Sequence, residues 1–237
     1  MPPALLLKHC KVKKSQVYLL ILVILIIDQV SKIYVKTHFY LGEDLPVLGN
    51  WFKLHFIENE GMAWGWKLGE SGSWGKIALT LFRLVAVFFG VYYIGKIIRE
   101  KMHTGFIICV GLIFAGAVGN LIDSLFYGLI FEESNYSTQN LATMFPEGGG
   151  YAGFLHGKVV DMLYFPIVEG TYPSWFPFWA GEPFLFFSPV FNIADSSISI
   201  GLILILLFQK RFFPEPAGNK AKSNETTAIV GDAEEVN

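Results

Sequence analysis

Charge is what this sequence is short of. Asp, Glu, Lys and Arg make up 16% of its 237 residues, where soluble domains carry about 25%. With 53% hydrophobic residues and a mean hydropathy of +0.46, that deficit excludes an ordinary soluble domain and points to a membrane. A basic excess is also missing. The net charge is −2, which gives no case for nucleic acid. Cysteine is nearly absent, with Cys10 in a predicted cytoplasmic tail and Cys109 in a predicted helix. No disulfide is expected between them. His9, His38, His55, His103 and His156 form no His-x-x-x-His or comparable pair. No metal ligand set is therefore expected, and no cofactor. Finally, no small-x-small cleavage site follows the first apolar run, Val17–Ile27; the chain continues Asp28-Gln29-Val30-Ser31-Lys32. That run reads as a retained helix, not a removed signal peptide.

What is present is apolar length. A bilayer core needs about 20 apolar residues per helix, and four segments qualify: 17–36, 76–98, 105–127 and 184–208. Lys8, Lys11, Lys13 and Lys14 precede the first, Lys96, Arg99 and Lys101 lie between the second and third, and Lys210, Arg211, Lys220 and Lys222 follow the fourth. The long 128–183 loop holds one basic residue, Lys158. The positive-inside rule then places both termini in the cytoplasm and the 37–75 and 128–183 segments on the outer side. The expected fold is an all-α membrane protein, a four-helix transmembrane bundle with a small β region on the outer, periplasmic side. The expected organisation is a cytoplasmic segment 1–16, a membrane domain 17–208, and a cytoplasmic, disordered tail 209–237, rich in Pro, Lys, Asn and Glu beyond Pro214.

Outside the spans, residues 45–66 alternate apolar and polar around Trp51–Ile57 and predict a strand or hairpin. Residues 132–156 are polar and Gly-rich and read as irregular. The aromatic run 171–187 reads as an interfacial anchor ahead of the fourth helix, or more weakly as a substrate surface.

Ionisable residues inside spans cost about 2.5–3.5 kcal/mol each and are functional hypotheses by default. Asp28 and Lys32 are four apart, and an internal ion pair is the simplest reading. Arg83 can snorkel to the outer interface. In the third span Gly116, Gly119, Asn120, Asp123 and Tyr127 share a face. Small residues there allow close packing, and Asn can bond across helices. In the fourth, Asn192, Asp195, Ser196 and Ser199 form one stripe, which must face protein or water. Ser188-Pro189 predicts the helix start, which leaves Asp195 too deep to serve as its cap. Asp161, in the β-prone run "GKVVDMLYFP", is either one solvent-facing strand residue or a group presented toward the fourth helix. Two neighbouring aspartates can share a proton, one acting as base and the other as acid, and cleave a peptide bond without metal. Ser73 and Lys76 match a loose S-x-x-K spacing, a weak signal.

Five pieces in order carry a resemblance: "DQVSK" at 28–32, "ENEGMAWG" at 58–65, "GNLID" at 119–123, "VVD" at 159–161 and "FNIADSSISIG" at 191–201. Together, over residues 17–208, the chain resembles bacterial lipoprotein signal peptidase, signal peptidase II. The resemblance implies a membrane aspartic endopeptidase. It would remove signal peptides from diacylglyceryl-modified prolipoproteins by cutting before the lipidated cysteine, act as a monomer in the inner membrane, and be inhibited by globomycin. The family's catalytic pair falls on Asp161 and Asp195. Supporting positions fall on Asp28, Lys32, Asn59, Gly61, Asn120 and Asn192, alongside Gly116 and Asp123 of the third span. Two departures stand out. Ser124 occupies the place of a usual Arg, with Lys158 a candidate replacement for the charge. An insertion at about 129–156 separates two of the motifs and reads as a neutral surface excursion rather than a lid. Rival readings are a transporter relaying protons or cations through Asp28, Asp123 and Asp195, and a scaffold that binds lipidated proteins without cutting them.

Overall fold

The computed structural model describes residues 13–60, 73–166, 168–186 and 189–214. Apolar stretches without proline form the long helices. α1 spans Lys14–His38, α2 Ser73–Arg99 and α3 Thr104–Ile122. α3 runs on through a π-helical turn, Asp123–Tyr127, into the short α4, Gly128–Ile130. With that extension, three helices among the described residues are long and apolar enough to cross a membrane: Lys14–His38, Trp74–Arg99 and Thr104–Ile130. α3 is the central one and packs against α1, α2 and α5.

The last apolar segment differs from expectation. Only Ile193–Leu207 is helical (α5), followed by the short α6, Gln209–Phe212. Residues assigned to the start of that span are extended instead. β4, Val168–Thr171, pairs with β5, Pro183–Phe186, in a hairpin, and β6, Val190–Phe191, joins the main sheet. Asn192, not Ser188, caps the helix, its side chain accepting from the Asp195 amide at 2.9 Å. Ser188 itself lies outside the described residues. A side-chain oxygen one position before the helix satisfies its orphan amides, and Asn192 supplies it where Pro183 and Pro189 keep the preceding chain extended. The face that α5 buries is Ala194, Ser197 and Gly201, while Ser199 is exposed. The predicted stripe is thus broken at its last member.

The main sheet is antiparallel in the order β1-β2-β3-β6, with β1 at Asp44–Leu48, β2 at Phe52–Asn59 and β3 at Val159–Tyr164. Register slips between Leu54 and Ile57, where three steps on β2 oppose two on β3. Such a bulge bends the strand and re-aims its side chains; beyond it, Ile57 stands opposite Asp161 and Asn59 opposite Val159. The predicted hairpin is thereby found, and Gly61 lies outside the described residues.

Two apolar cores flank a polar middle. One joins Val17, Ile21, Ile94, Ile97, Phe106 and Phe212; the other joins Val35, Phe56, Tyr127, Phe131, Val160 and Met162. Phe131 shows that the 129–156 insertion is not a neutral excursion. It is fully buried. Ser134 of the same insertion accepts from buried Lys36 at 3.1 Å, and Lys36 pairs with Glu58 of β2 and lies over the Phe131 and Tyr151 rings. The insertion therefore covers a buried ion pair between α1 and β2 and adds an acceptor to it. Trp175 and Phe178, between β4 and β5, are 76% and 80% exposed.

Candidate active site

The site is assembled from four elements. α1 supplies Asp28 and Lys32, α3 with its π-helical extension supplies Asn120 and Asp123, β3 supplies Asp161, and the start of α5 supplies Asn192 and Asp195. Close helix contact makes this possible. A Cβ on Gly116 would overlap the carbonyl of Ala194, and one on Gly119 would come within 2.6 Å of an Asp28 oxygen. The face predicted on α3, from Gly116 to Tyr127, is buried as a whole.

Lys32 is fully buried. Its ammonium lies 2.9 Å from Asp28 and 2.9 Å from Asp123, and it donates to Asn120 Oδ1 at 2.9 Å. Those contacts use all three of its donors. The predicted pair is thus a triad. Each carboxylate also reaches the backbone of an element that carries a candidate catalytic group. Asp28 Oδ1 accepts the Ala194 amide in the first turn of α5 at 2.8 Å, where a negative charge suits the helix dipole. Asp123 Oδ2 accepts the Val160 amide, next to Asp161, at 3.3 Å. Gln29 braces the triad from α1, donating to Asp123 at 2.9 Å and to Asp28 at 3.1 Å while accepting from the Tyr127 hydroxyl at 3.2 Å. Gln29 and the Tyr127 hydroxyl were not singled out from the sequence. Gln29 lies inside the "DQVSK" motif, which is the one signal that marks it.

Asp161 and Asp195 meet through asparagines. Asn192 Nδ2 donates to Asp161 Oδ1 at 2.7 Å, and the Asn192 amide donates to Asp195 Oδ2 at 3.4 Å. Asn120 Nδ2 donates to Asp195 Oδ1 at 2.7 Å, and Asn59 Nδ2 reaches Asp161 Oδ2 at 3.4 Å. Asp195 is therefore part of a capping box after all, as its third helical residue. Asp161 is 2% exposed and Asp195 half-buried. Burial, and then the neighbouring Asp195 charge, push the Asp161 carboxyl up to about 7, against the opposing pull of Lys32, Asn59 and Asn192. One carboxylic acid beside one solvent-reachable carboxylate can polarise a carbonyl and deprotonate water together. Among the described residues, no three His, Cys, Asp or Glu side chains are grouped to hold a metal.

Two charge assignments change. Lys158 pairs with Glu58 of β2 at 3.6 Å and with Glu133 of the insertion at 3.3 Å. The cation beside Ser124 is Arg83. Instead of snorkelling to the interface, its Nη1 donates to Ser124 Oγ at 3.2 Å, because a neighbouring helix offers an acceptor that lipid does not.

Comparison with known proteins gives a consistent result. The model of the family described as signal peptidase (SPase) II matches residues 20–211. A lipoprotein signal peptidase of Porphyromonas gingivalis is 52% identical over 193 residues, 81% of each chain. One from Amoebophilus asiaticus is 33% identical over 213 residues, 89% of this chain and 84% of the relative. Among solved structures, a bacterial membrane enzyme determined by the in meso method is 25% identical, with a TM-score of 0.52, over 84% of this chain and 95% of the other.

Proposed function

The chain belongs to the signal peptidase II family, and we propose that Asp161 and Asp195 are the catalytic pair of an aspartic endopeptidase. The reaction is removal of the signal peptide from diacylglyceryl-modified prolipoproteins, on the N-terminal side of the lipidated cysteine. The observation that carries the assignment is Asn192, which holds Asp161 through its side chain and Asp195 through its backbone.

Water lies against the half-buried Asp195, and the scissile carbonyl lies toward Asp161. Attack forms a tetrahedral diol as one carboxylate takes a proton from water and one acid protonates the carbonyl oxygen. Collapse breaks the C–N bond, and the amine leaves with the first proton. The β2 edge beyond the bulge, with Asn59, aligns the extended peptide as an added strand.

α5 is a fourth span, and its length sets the depth of the site. Fifteen residues rise about 22 Å, against about 30 Å of hydrocarbon. With its basic C-terminal neighbours Lys210 and Arg211 at the cytoplasmic surface, Asp195 sits several ångströms below the outer surface, where a lipid-anchored cysteine can reach it. Both termini are cytoplasmic, the protein is a monomer of the bacterial inner membrane, and globomycin competes for the same cleft. The relay reading is disfavoured because Asp28 and Asp123 are both bound to Lys32.

Asp161→Asn and Asp195→Asn test the assignment. Each should abolish cleavage of a lipidated precursor, seen as loss of a globomycin-sensitive mobility shift, while the protein remains folded. Normal cleavage by either variant would overturn the pair.

A further inference from the structure

β2 carries Asn59 and β3 carries Asp161, and the 129–156 insertion is attached to both strands. On β2 the attachment is at Glu58. Consecutive strand residues point to opposite faces. Asn59 accordingly reaches Asp161 at 3.4 Å on one face, while Glu58 meets Lys36 and Ser134 on the other. At β3 the attachment lies just ahead of the strand, where Lys158 pairs with Glu133 at 3.3 Å and with Glu58 at 3.6 Å.

One residue of the insertion touches both attachments. The Tyr151 ring lies 5.1 Å from Lys36 Nζ and 5.3 Å from Lys158 Nζ, within the range of cation–π contact. Its hydroxyl oxygen also accepts the Lys158 backbone amide at 2.6 Å, three residues ahead of Asp161. Tyr151 is in turn fixed through its backbone. Its amide donates to the Phe131 carbonyl at 3.0 Å, and the next amide, of Ala152, donates to the Gly128 carbonyl at 2.9 Å. A Cβ at Gly150 would stand 2.0 Å from that Gly128 oxygen, so the returning chain lies against α4 only because glycine has none. The same close approach recurs at the entry to β3. The Gly157 amide donates to the Ser124 carbonyl at 3.0 Å, and a Cβ there would stand 2.0 Å from the Asp123 carbonyl oxygen.

We propose that Tyr151 is a positioning residue for the catalytic strand: it ties the start of β3 and the Lys36–Glu58 pair of β2 to the insertion, and so holds Asn59 and Asp161 in the arrangement that cleavage uses. The insertion is then a brace on the site. A reacting group must be held by a supporting shell, and a misplacement of about 1 Å costs about a hundredfold in rate. This rests on the catalytic assignment of Asp161 and Asp195.

Steady-state cleavage of a diacylglyceryl-modified precursor tests it, with rates expressed per folded enzyme. Tyr151→Leu removes both the ring and the hydroxyl. Its kcat should fall about tenfold or more, with KM within about twofold of wild type, the pattern of an interaction felt in the transition state. Tyr151→Phe keeps the ring beside both lysines, and its kcat should fall less, by about threefold. Thr138→Ala, in an exposed turn of the same insertion, should change neither constant. Because Tyr151 acts through the Asn59–Asp161 arrangement, Tyr151→Phe combined with Asn59→Ala should lose less than the product of the two single losses. A folded Tyr151→Leu enzyme with wild-type kcat, even at a lowered thermal midpoint, overturns the proposal. So does a Thr138→Ala loss as large as that of Tyr151→Leu, or a double variant whose losses multiply. Should Tyr151→Leu fail to fold, Tyr151→Phe and the double variant decide alone. Failure of the catalytic assignment looks different, since Asp161→Asn or Asp195→Asn would then still cleave.

Discussion

Asp28 and Asp123 sit against a lysine, whereas Asp161 and Asp195 sit against asparagines. The first pair shares one buried ammonium at 2.9 Å on each side. The second is held by the side chains of Asn192, Asn120 and Asn59. The difference separates scaffold from reagent. A carboxylate bound to a buried cation is expensive to disturb. A carboxylate satisfied by neutral amides is positioned without a bound cation, and burial raises the Asp161 carboxyl to about 7. The two pairs are also linked, since Asp28 anchors the first turn of α5 and Asp123 anchors β3. The scaffold pair therefore positions the elements that carry the reactive pair.

The strongest way to break this comparison is to neutralise one member of each. Asp195→Asn or Asp161→Asn should cost about 10³-fold or more in cleavage while leaving the thermal midpoint in detergent unchanged or raised. Lys32→Met should act on the fold instead. It strands two buried carboxylates, and stability should fall by about 3–5 kcal/mol, read as a lowered unfolding midpoint. If Lys32→Met kept the wild-type midpoint, the scaffold role would be lost.

A smaller effect is expected where backbones meet. Gly116→Val would push α3 from the Ala194 carbonyl, costing about 1–3 kcal/mol of stability. It should also lower cleavage, because α5 carries Asp195. An unchanged midpoint and rate would show that the helices have room to spare.

The finest test is pH. The Asp161 carboxyl is raised to about 7 in the folded protein, above its unfolded value, so the folded state holds the proton more tightly. Stability from this group is present below the ordinary carboxylate range and declines as pH rises toward about 7, by at most about 1.4 kcal/mol per pH unit. Asp161→Asn removes that slope. Its midpoint relative to wild type should therefore rise between about pH 4 and 7 and level off above, and a flat difference would contradict the burial of an ionisable Asp161.

Much of this was legible in the chain. The Asp28–Lys32 pair follows from helical spacing, and the buried α3 face from Gly116 to Tyr127 follows from the same period. The fourth helix was misread because apolar content looks the same in Phe184–Phe186, a strand, and in Ile193–Leu207, a helix. What separates them is Asn192 and its hydrogen bonds. Arg83 was misread for a related reason: whether an arginine in a span turns to the interface or inward depends on an acceptor that another helix provides, here Ser124.

The sequence by itself determined the long apolar spans, the ion pair on α1 and, through five ordered motifs, the family. These are set by local period, charge content and residue type, which act over a few positions. The tertiary structure alone decided that Lys32 also binds Asp123, that Asn192 joins Asp161 to Asp195, and that Arg83 enters beside them. The Lys32–Asp123, Asn192–Asp161 and Arg83–Ser124 contacts each join residues at least 31 positions apart, and only the close approach of separate elements brings such groups to hydrogen-bonding distance.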